Sequence, residues 1–486
     1  MSRRAIVWFR RDLRVADHPA LLAALDKADE IVPVWVLDRR LLLGRGTGPN
    51  RRAFLHGALE SLDAALRERG ARLAVPEGDP VKVIPELAAG LGAERVHHLR
   101  EYTPWAVARD RAVARALEDQ GAALVAHPGM YLLDDFDEIT TGSGDPFKVY
   151  SPFARAVRDA GWSDPVPAPG EIPAPGRVPG GTGVPPLSRF EAGGAVGTFP
   201  PDPDKALERL RWFARTQAEG YATERNHPAV DATSKLSPYL RLGLISPRQA
   251  AAAMPGGRGK GPTGPSHTGS KHRPMLGART YVDELIWRDF YAYVLYHRPD
   301  SAWSDWREDF KALKWESDPD GLAAWKEGRT GFPLVDAGMR QLVATGWMHN
   351  RIRMITASFL CKDLLIDWRE GAAFFLRHLV DGDLASNNGG WQWAASTGTD
   401  PQPYFRVFNP TRQAERFDPE GSYIRQWVPE LAKVEGGAIF EPRKLSESDQ
   451  KAAGVRVGTD YPAPIVAHDE ARKRALARFE EIRRAR

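Results

Sequence analysis

Residues 346–371 read GWMHNRIRMITASFLCKDLLIDWREG, and residues 381–400 read DGDLASNNGGWQWAASTGTD. In the first stretch apolar residues return at i, i+3 and i+4, the period of an amphipathic helix. Asn350, Arg353 and Met354 share one face of it, with Trp347 one turn earlier. A polar cluster on an otherwise apolar helix is costly unless it meets a partner, either a ligand or another protein segment. In the second stretch Asp381 and Asp383 precede Asn387, Asn388 and a glycine pair, and glycine lets a backbone approach a ligand closely. Trp391 and Trp393 would point roughly 200° apart on a helix, so one can face a cavity while the other faces a different layer. Metal binding by Asp381 and Asp383 ranks low, because no further carboxylate cluster supports it; no metal is expected.

The helical period extends to both sides of these stretches. It runs through KALERLRWFARTQAEGY (205–221), PRQAAAAM (247–254), ARTYVDELIWRDFYAYVLYH (278–297), GFPLVDAGMRQLVATG (331–346) and GAAFFLRHLVDG (371–382). Everything after Pro203 is therefore expected to be nearly all α. Glu284, Trp287 and Arg288 share a face. An acid beside a large aromatic can hydrogen-bond a base edge while the ring covers its flat surface; a half-buried salt bridge beside a core Trp accounts for the same pattern. In TSKLSPYLRLG (233–243), Thr233 and Ser234 can cap a helix whose first turn holds Pro238. Such an N-terminus, with Lys235, would suit a diphosphate, though an ordinary capped helix explains it as well. Ser246 to Gln249 reads as a capping box.

Toward the N-terminus the pattern changes. AIVWFRR (5–11), IVPVWVLD (31–38), ARLAVPEG (71–78), ERVHHLREY (94–102) and AALVAHPG (122–129) read as strands, separated by helical runs. That alternation predicts a parallel sheet with helices on both faces, to about residue 130. No GxGxxG follows the first strand, so a standard dinucleotide site is unsupported. Residues 162–203 are dense in Pro and Gly and read as an extended connector. The basic, Gly-rich stretch 255–274 reads as a surface insertion.

The chain has 486 residues, enough for two domains and linkers. Lys plus Arg is 67 and Asp plus Glu is 63, so net charge is 67 − 63 = +4, which permits nucleic-acid binding without arguing for it. Cys361 is the single cysteine, so no intrachain disulfide can form, and a reducing, cytoplasmic setting fits. No signal peptide, membrane span or zinc-spaced Cys/His cluster is read.

Taken together and in this order, the two opening stretches, ELIWRDFY, TSKLSPYLRLG and the N-terminal WFRRDLRVADHPAL (8–21) resemble the photolyase/cryptochrome flavoproteins, closest to class I cyclobutane pyrimidine dimer photolyases. The likeness spans nearly the whole chain and is densest from Tyr221 to Gln413. It implies a Rossmann-like α/β antenna domain over 1–130, a linker over 131–203, and an all-α FAD-binding and catalytic domain over 204–486.

By this resemblance Tyr221, Thr233, Ser234, Lys235, Leu236 and Ser237 hold the diphosphate and ribityl region of FAD. Arg353 and Asp381 match an ion pair beside the isoalloxazine, with Gly382 and Asp383 as further flavin contacts. Asn387 matches the residue facing flavin N5. Glu284 matches the acid that hydrogen-bonds the dimer, Trp287 and Trp393 the aromatic walls of the lesion pocket, and Asn350, Arg351 and Met354 its lining. Arg225, Arg406 and Gln413 match groups near the DNA strand. Trp391, Trp368 and Trp315 match a chain that carries an electron from the surface to the photoexcited flavin; core packing is the plain alternative for each. The implied activity is light-driven splitting of pyrimidine dimers in UV-damaged DNA, by a monomer needing no membrane and no obligatory protein partner.

The N-terminal domain of this family often binds a light-harvesting chromophore. Folate-binding members carry an Asn-Glu pair where this chain has small and apolar residues before Arg109-Asp110. The identity of a second antenna chromophore, of folate or deazaflavin type, therefore stays open. Three other readings differ in named residues. A (6-4) photolyase would typically show a His pair near Asn350 and Met354. A blue-light receptor of cryptochrome type would often lose Glu284 and a pocket tryptophan. A flavoprotein without a DNA role would not need the lesion-pocket residues.

Overall fold

A computed structural model of the chain describes residues 2–44, 46–193, 198–255 and 273–484. Four strands, β1 (Arg4–Phe9), β2 (Glu30–Trp35), β3 (Arg95–Leu99) and β4 (Ala123–His127), form one parallel sheet in the order β2-β1-β3-β4. From Ala5 to Phe9 every side chain of β1 is apolar and buried. A strand covered on both faces reads as such a continuous run, and each large side chain buried there contributes roughly 1.5–3 kcal/mol.

The fifth expected strand, 71–78, forms only the isolated bridges Val34↔Ala74 and Leu37↔Glu77. Pro33 supplies a reason. The N–H and C=O of one strand residue point to the same side, and the Pro33 carbonyl accepts from the Ala74 N–H at 2.9 Å. The missing Pro33 donor therefore faces this edge, and Pro76 removes another donor along it.

Because β1 has a neighbour on each side, the order of the strands reverses there. In open parallel sheets the crevice at the strand carboxyl ends of such a point is where ligands bind. The residues after β1 and β3 fill this place with charge: Arg10 donates to Asp110 at 3.2 Å, Arg11 pairs with Glu101, and Arg109 donates to Glu101 at 2.8 Å. The opening motif is thus a buried ion network, stabilised because each guanidinium meets a carboxylate.

The connector 162–203 holds one regular turn among its described residues, Leu187–Phe190. Its anchor is Phe190, fully buried and stacked on Trp35 with ring centroids 6.3 Å apart. Beyond β4 the described residues carry helices and no further strand. The expected single helix over 351–368 is broken. It runs Asn350–Ser358, widens into a π-helical turn at Phe359–Asp363, and restarts at Trp368–His378. Leu365 takes a left-handed φ of 53°, and the Asp367 side chain caps the new helix by accepting from the Arg369 N–H at 2.9 Å.

The chain divides into two compact units. The first comprises Met1–Ala222, Ser234–Pro299 and Val380–Ala385; the second comprises Thr223–Thr233, Asp300–Leu379 and Ser386–Arg486. The second unit has its own core, in which Trp325, Trp368, Trp391, Phe375 and Tyr423 are buried together. Among the described residues no helix is long and apolar enough to cross a membrane, and no cluster of three or more His, Cys, Asp or Glu could hold a metal. The Gly-rich stretch 255–274 lies, apart from its ends, outside the described residues.

Candidate functional site

In the first unit, the helix Arg273–His297 carries Glu284 and Trp287, both half-buried. The helix Tyr150–Ala160 packs against it through Phe153, whose ring lies 5.2 Å from Phe290 and 4.9 Å from Tyr293. This contact brings Tyr150 flat onto Trp287, with ring centroids 3.6 Å apart and planes 6° from parallel. The Tyr150 hydroxyl donates to the Asp283 carbonyl at 2.9 Å, which pins the stack. Arg288 donates to the Met130 carbonyl at 2.8 Å and lies 4.5 Å over the Tyr131 ring. Its guanidinium is thus engaged by the Met130 carbonyl and the Tyr131 ring.

The loop 381–383 also belongs to the first unit. Asp381 and Gly382 are buried. Arg241 donates to the Gly382 carbonyl at 2.8 Å, and Arg11 donates to Asp383 at 2.8 Å. Burial, and next the charge of Arg11, push the Arg241 guanidinium down to about 9; burial pushes Arg51 down to about 10. The Arg241 Nη1 is buried with no hydrogen-bond partner among the described residues. Cations are thus crowded around this loop, an arrangement that favours an anion.

Tyr221 is buried edge-on against Phe213 and Tyr281. The capping expected of Thr233 and Ser234 is corrected by the structure. The helix begins at Ser237, its N-cap is Leu236 without a side-chain cap, and it spans only Ser237–Leu242. Ser234 instead turns back on the loop, its Oγ accepting from the Leu236 N–H at 3.4 Å and its carbonyl from Arg209 at 3.1 Å. Lys235 between them has a φ of 52°, a left-handed conformation that a non-glycine residue adopts at a cost of order 1 kcal/mol. Such strain tends to mark functional loops.

In the second unit, the helix Asn350–Ser358 is capped by His349, whose Nδ1 accepts from the Arg351 N–H at 3.2 Å. The helix starts late, so Trp347 lies on the turn before it. The Asn350 amide approaches the Met354 sulfur at 4.0 Å, joining two of the expected residues along one face. Arg353 donates to the Met348 carbonyl at 2.8 Å. The helix Leu384–Ala395 carries Asn387, Trp391 and Trp393. Trp391 is in the core and Trp393 is half-buried, as their spacing implies. Asn387 donates to the Ala372 carbonyl at 3.1 Å and to the Asn388 side-chain oxygen at 3.0 Å. Both its amide protons are engaged by the chain.

Trp391 meets Phe375 edge-on at 5.0 Å and Trp325 edge-on at 5.9 Å. Trp368 is fully buried in the same cluster, and Trp315 packs against it half-buried. Elsewhere in this unit Arg351 and Arg416 lie 4.6 and 5.1 Å over the Phe417 ring. Burial, then Arg225 and Arg416, lower the Arg351 pKa, and the Arg351 Nε is buried with no hydrogen-bond partner among the described residues. Arg406 is exposed on the segment after Trp393, and Gln413 is half-buried on the helix Pro410–Phe417. Tyr150 and Arg416 are not among the residues the sequence singles out. Tyr150 stacks on Trp287, and the charge of Arg416 reaches Arg351, across long stretches of chain that no local pattern connects.

Two family models match this chain: DNA photolyase over residues 5–171, and the FAD binding domain of DNA photolyase over residues 281–481. A deoxyribodipyrimidine photo-lyase of Streptomyces griseus is 42% identical over 99% of this chain and 99% of its own length. The chain belongs to the DNA photolyase family. A second relative, the Escherichia coli K12 deoxyribodipyrimidine photo-lyase, is 39% identical over 99% of each chain. Among solved structures, a bacterial class III photolyase from Agrobacterium tumefaciens matches with a TM-score of 0.89 at 37% identity, covering 100% of this chain and 98% of that one. A Synechocystis cryptochrome matches at 0.87 and 31% identity, covering 98% and 99%. An archaeal photolyase from Sulfolobus tokodaii, described with two FAD molecules, matches at 0.83 and 31%, covering 98% and 100%. The fold is shared by repair enzymes and a cryptochrome, so the choice between those activities rests on site residues.

As a photolyase the chain takes FAD as its cofactor, and the residues present fit that group. The orphaned Arg241 N–H and the crowded cations of the first unit suit an anionic ligand. With its protons engaged, Asn387 has only its carbonyl oxygen to offer a flavin.

Proposed function

We propose that this photolyase splits cyclobutane pyrimidine dimers in UV-damaged DNA by light-driven electron transfer from reduced FAD. The observation that carries the reading is the face formed by Glu284 and Trp287. The acid and the ring sit one helical turn apart, half-buried, with the ring immobilised on Tyr150. A ring already fixed loses little entropy on stacking against a base. Trp287 and Trp393 wall the lesion, and Asn350, Arg351 and Met354 line it. Glu284 donates or accepts at the base edge and stabilises the charge that the dimer acquires. The Asn350–Met354 contact stands where a (6-4) photolyase would carry its His pair, which favours the dimer as substrate.

FAD, when bound, supplies the photoexcited electron donor. Tyr221, Thr233, Ser234, Lys235, Leu236 and Ser237 hold its phosphate end; Arg353, Asp381, Gly382, Asp383 and Asn387 surround its ring. Trp391, Trp368 and Trp315 re-reduce it. Residues 1–130 form the antenna domain, 131–203 the linker and 204–486 the catalytic domain, and the enzyme works as a cytoplasmic monomer. Arg225, Arg351, Arg406, Gln413 and the added Arg416 position the strand through its phosphates.

Two substitutions follow from these roles. Glu284→Ala is expected to lower repair yield by about tenfold, the scale of a lost hydrogen bond to a charged group, with FAD content unchanged; flavin absorbance and thymine recovery measure both. Arg416→Ala is expected to weaken damaged-DNA binding to a similar degree for every sequence and to reduce the slope of log affinity against log salt by about 1. Lesion choice is tested by illuminating the reduced protein with two oligonucleotides, one carrying a thymine dimer and one a (6-4) product. Repair of the dimer alone supports the reading; repair of the (6-4) product, or of neither, overturns it.

A further inference from the structure

Trp368 is completely buried, and its indole N–H donates to Asp305 Oδ1 at 2.8 Å. Asp305 is itself only 2% exposed. Its other oxygen accepts from the Arg369 Nη2 at 2.9 Å. Arg369 is held in turn by Asp367 at 2.9 Å and by the Trp303 carbonyl at 2.7 Å, and its guanidinium carbon lies 4.9 Å over the Trp368 ring. An indole that only fills a core needs an acceptor for its N–H, and a backbone carbonyl suffices: Trp325, in the same core, uses the Thr356 carbonyl at 3.0 Å. At Trp368 the acceptor is a buried carboxylate, which is costly to bury.

We infer that Asp305 is a positioning residue of the electron path, fixing the Trp368 indole and stabilising the positive hole that passes through it. The inference rests on the reading of Trp391, Trp368 and Trp315 as that path. With FAD bound and photoexcited in its oxidised form, Trp391 would give up one electron to it. One electron then moves from Trp368 to the Trp391 radical cation, restoring Trp391 and leaving the hole on Trp368. A carboxylate at hydrogen-bond distance lowers the energy of that hole, and strongly so in a low-dielectric core. Arg369 has two effects. Its charge over the ring opposes the hole, and its hydrogen bond occupies the second Asp305 oxygen and ties the carboxylate into an ion pair. The indole proton therefore stays on Trp368, and the hole moves on when Trp315 gives up an electron. Asp305 draws the hole outward from Trp391, and Arg369 keeps it from being trapped as a neutral radical.

Transient absorption of the flavin-loaded protein tests this, with the ultraviolet Raman signal of the indole N–H read in the dark. Asp305→Asn keeps the shape and an acceptor oxygen and removes the charge. It is expected to cut the yield of the Trp315 radical by about tenfold, the ratio set by ~1.4 kcal/mol. Arg369→Gln is expected to do something different: the Trp368 radical should lose its proton to Asp305 and persist as a neutral species, formed more slowly in D2O. Wild-type radical yields in Asp305→Asn, or a Trp368 radical that stays protonated in Arg369→Gln, would overturn the inference. Trp368→Phe separates this from the reading beneath it. If that variant photoreduces normally, Trp368 is not on the path at all; if it is blocked while Asp305→Asn behaves as wild type, only the role of Asp305 fails.

Discussion

Trp391→Phe is expected to slow photoreduction of the oxidised flavin by at least about a hundredfold, the effect of adding ~3 kcal/mol or more to one step. Repair by chemically pre-reduced enzyme should continue. Phenylalanine is smaller than tryptophan but keeps an aromatic ring against Phe375 and Trp325, so most of the core packing survives; what is lost is a side chain that can be oxidised. Trp391 is buried in the core of the second unit together with Trp368, and Trp315 packs half-buried against that core. Trp391 and Trp368 thus lie in the interior and Trp315 toward the surface, as an inward electron path requires. Bleaching of the flavin band under blue light with an external reductant measures the effect. Photoreduction at the wild-type rate would remove Trp391 from the path.

Gly371→Ala should have the second large effect, and it was not foreseeable from sequence. A Cβ at Gly371 would lie 2.1 Å from the nearest Trp391 ring carbon, with two more ring carbons at 2.5 and 2.6 Å. Such distances are far inside contact, and the ring has no room to yield between Phe375 and Trp325. Overpacking of this kind costs about 1–3 kcal/mol or more. The expected outcome is a fall of several degrees in Tm together with slowed photoreduction, read by thermal unfolding and flavin bleaching. An unchanged Tm would mean that Trp391 is not seated as described.

Much of the fold is legible in the residues themselves. The apolar run of β1 and the 3.6-residue period after Pro203 each follow from burying one face or two, so a periodic reading recovers them. Elements fail where a single residue overrides the pattern. Pro33 and Pro76 reduce the strand at 71–78 to bridges, and a left-handed Leu365 splits the helix at 351–368 although its apolar period continues. The site is legible in part. Glu284 and Trp287, or Asn350 and Met354, lie within one helical turn, and local spacing pairs them. The stack of Tyr150 on Trp287 and the bond from Trp368 to Asp305 join residues far apart in the chain. Those contacts exist only once the helices have packed, and the sequence carries no sign of them.

The most direct test of the central claim is thymine recovered from a dimer-containing oligonucleotide mixed with the reduced, FAD-loaded protein, measured in blue light and in the dark. Recovery in the light alone, reduced about tenfold by Glu284→Ala, is the expected result. No recovery under illumination, with FAD bound and the oligonucleotide retained, would contradict repair and leave this fold to a light receptor.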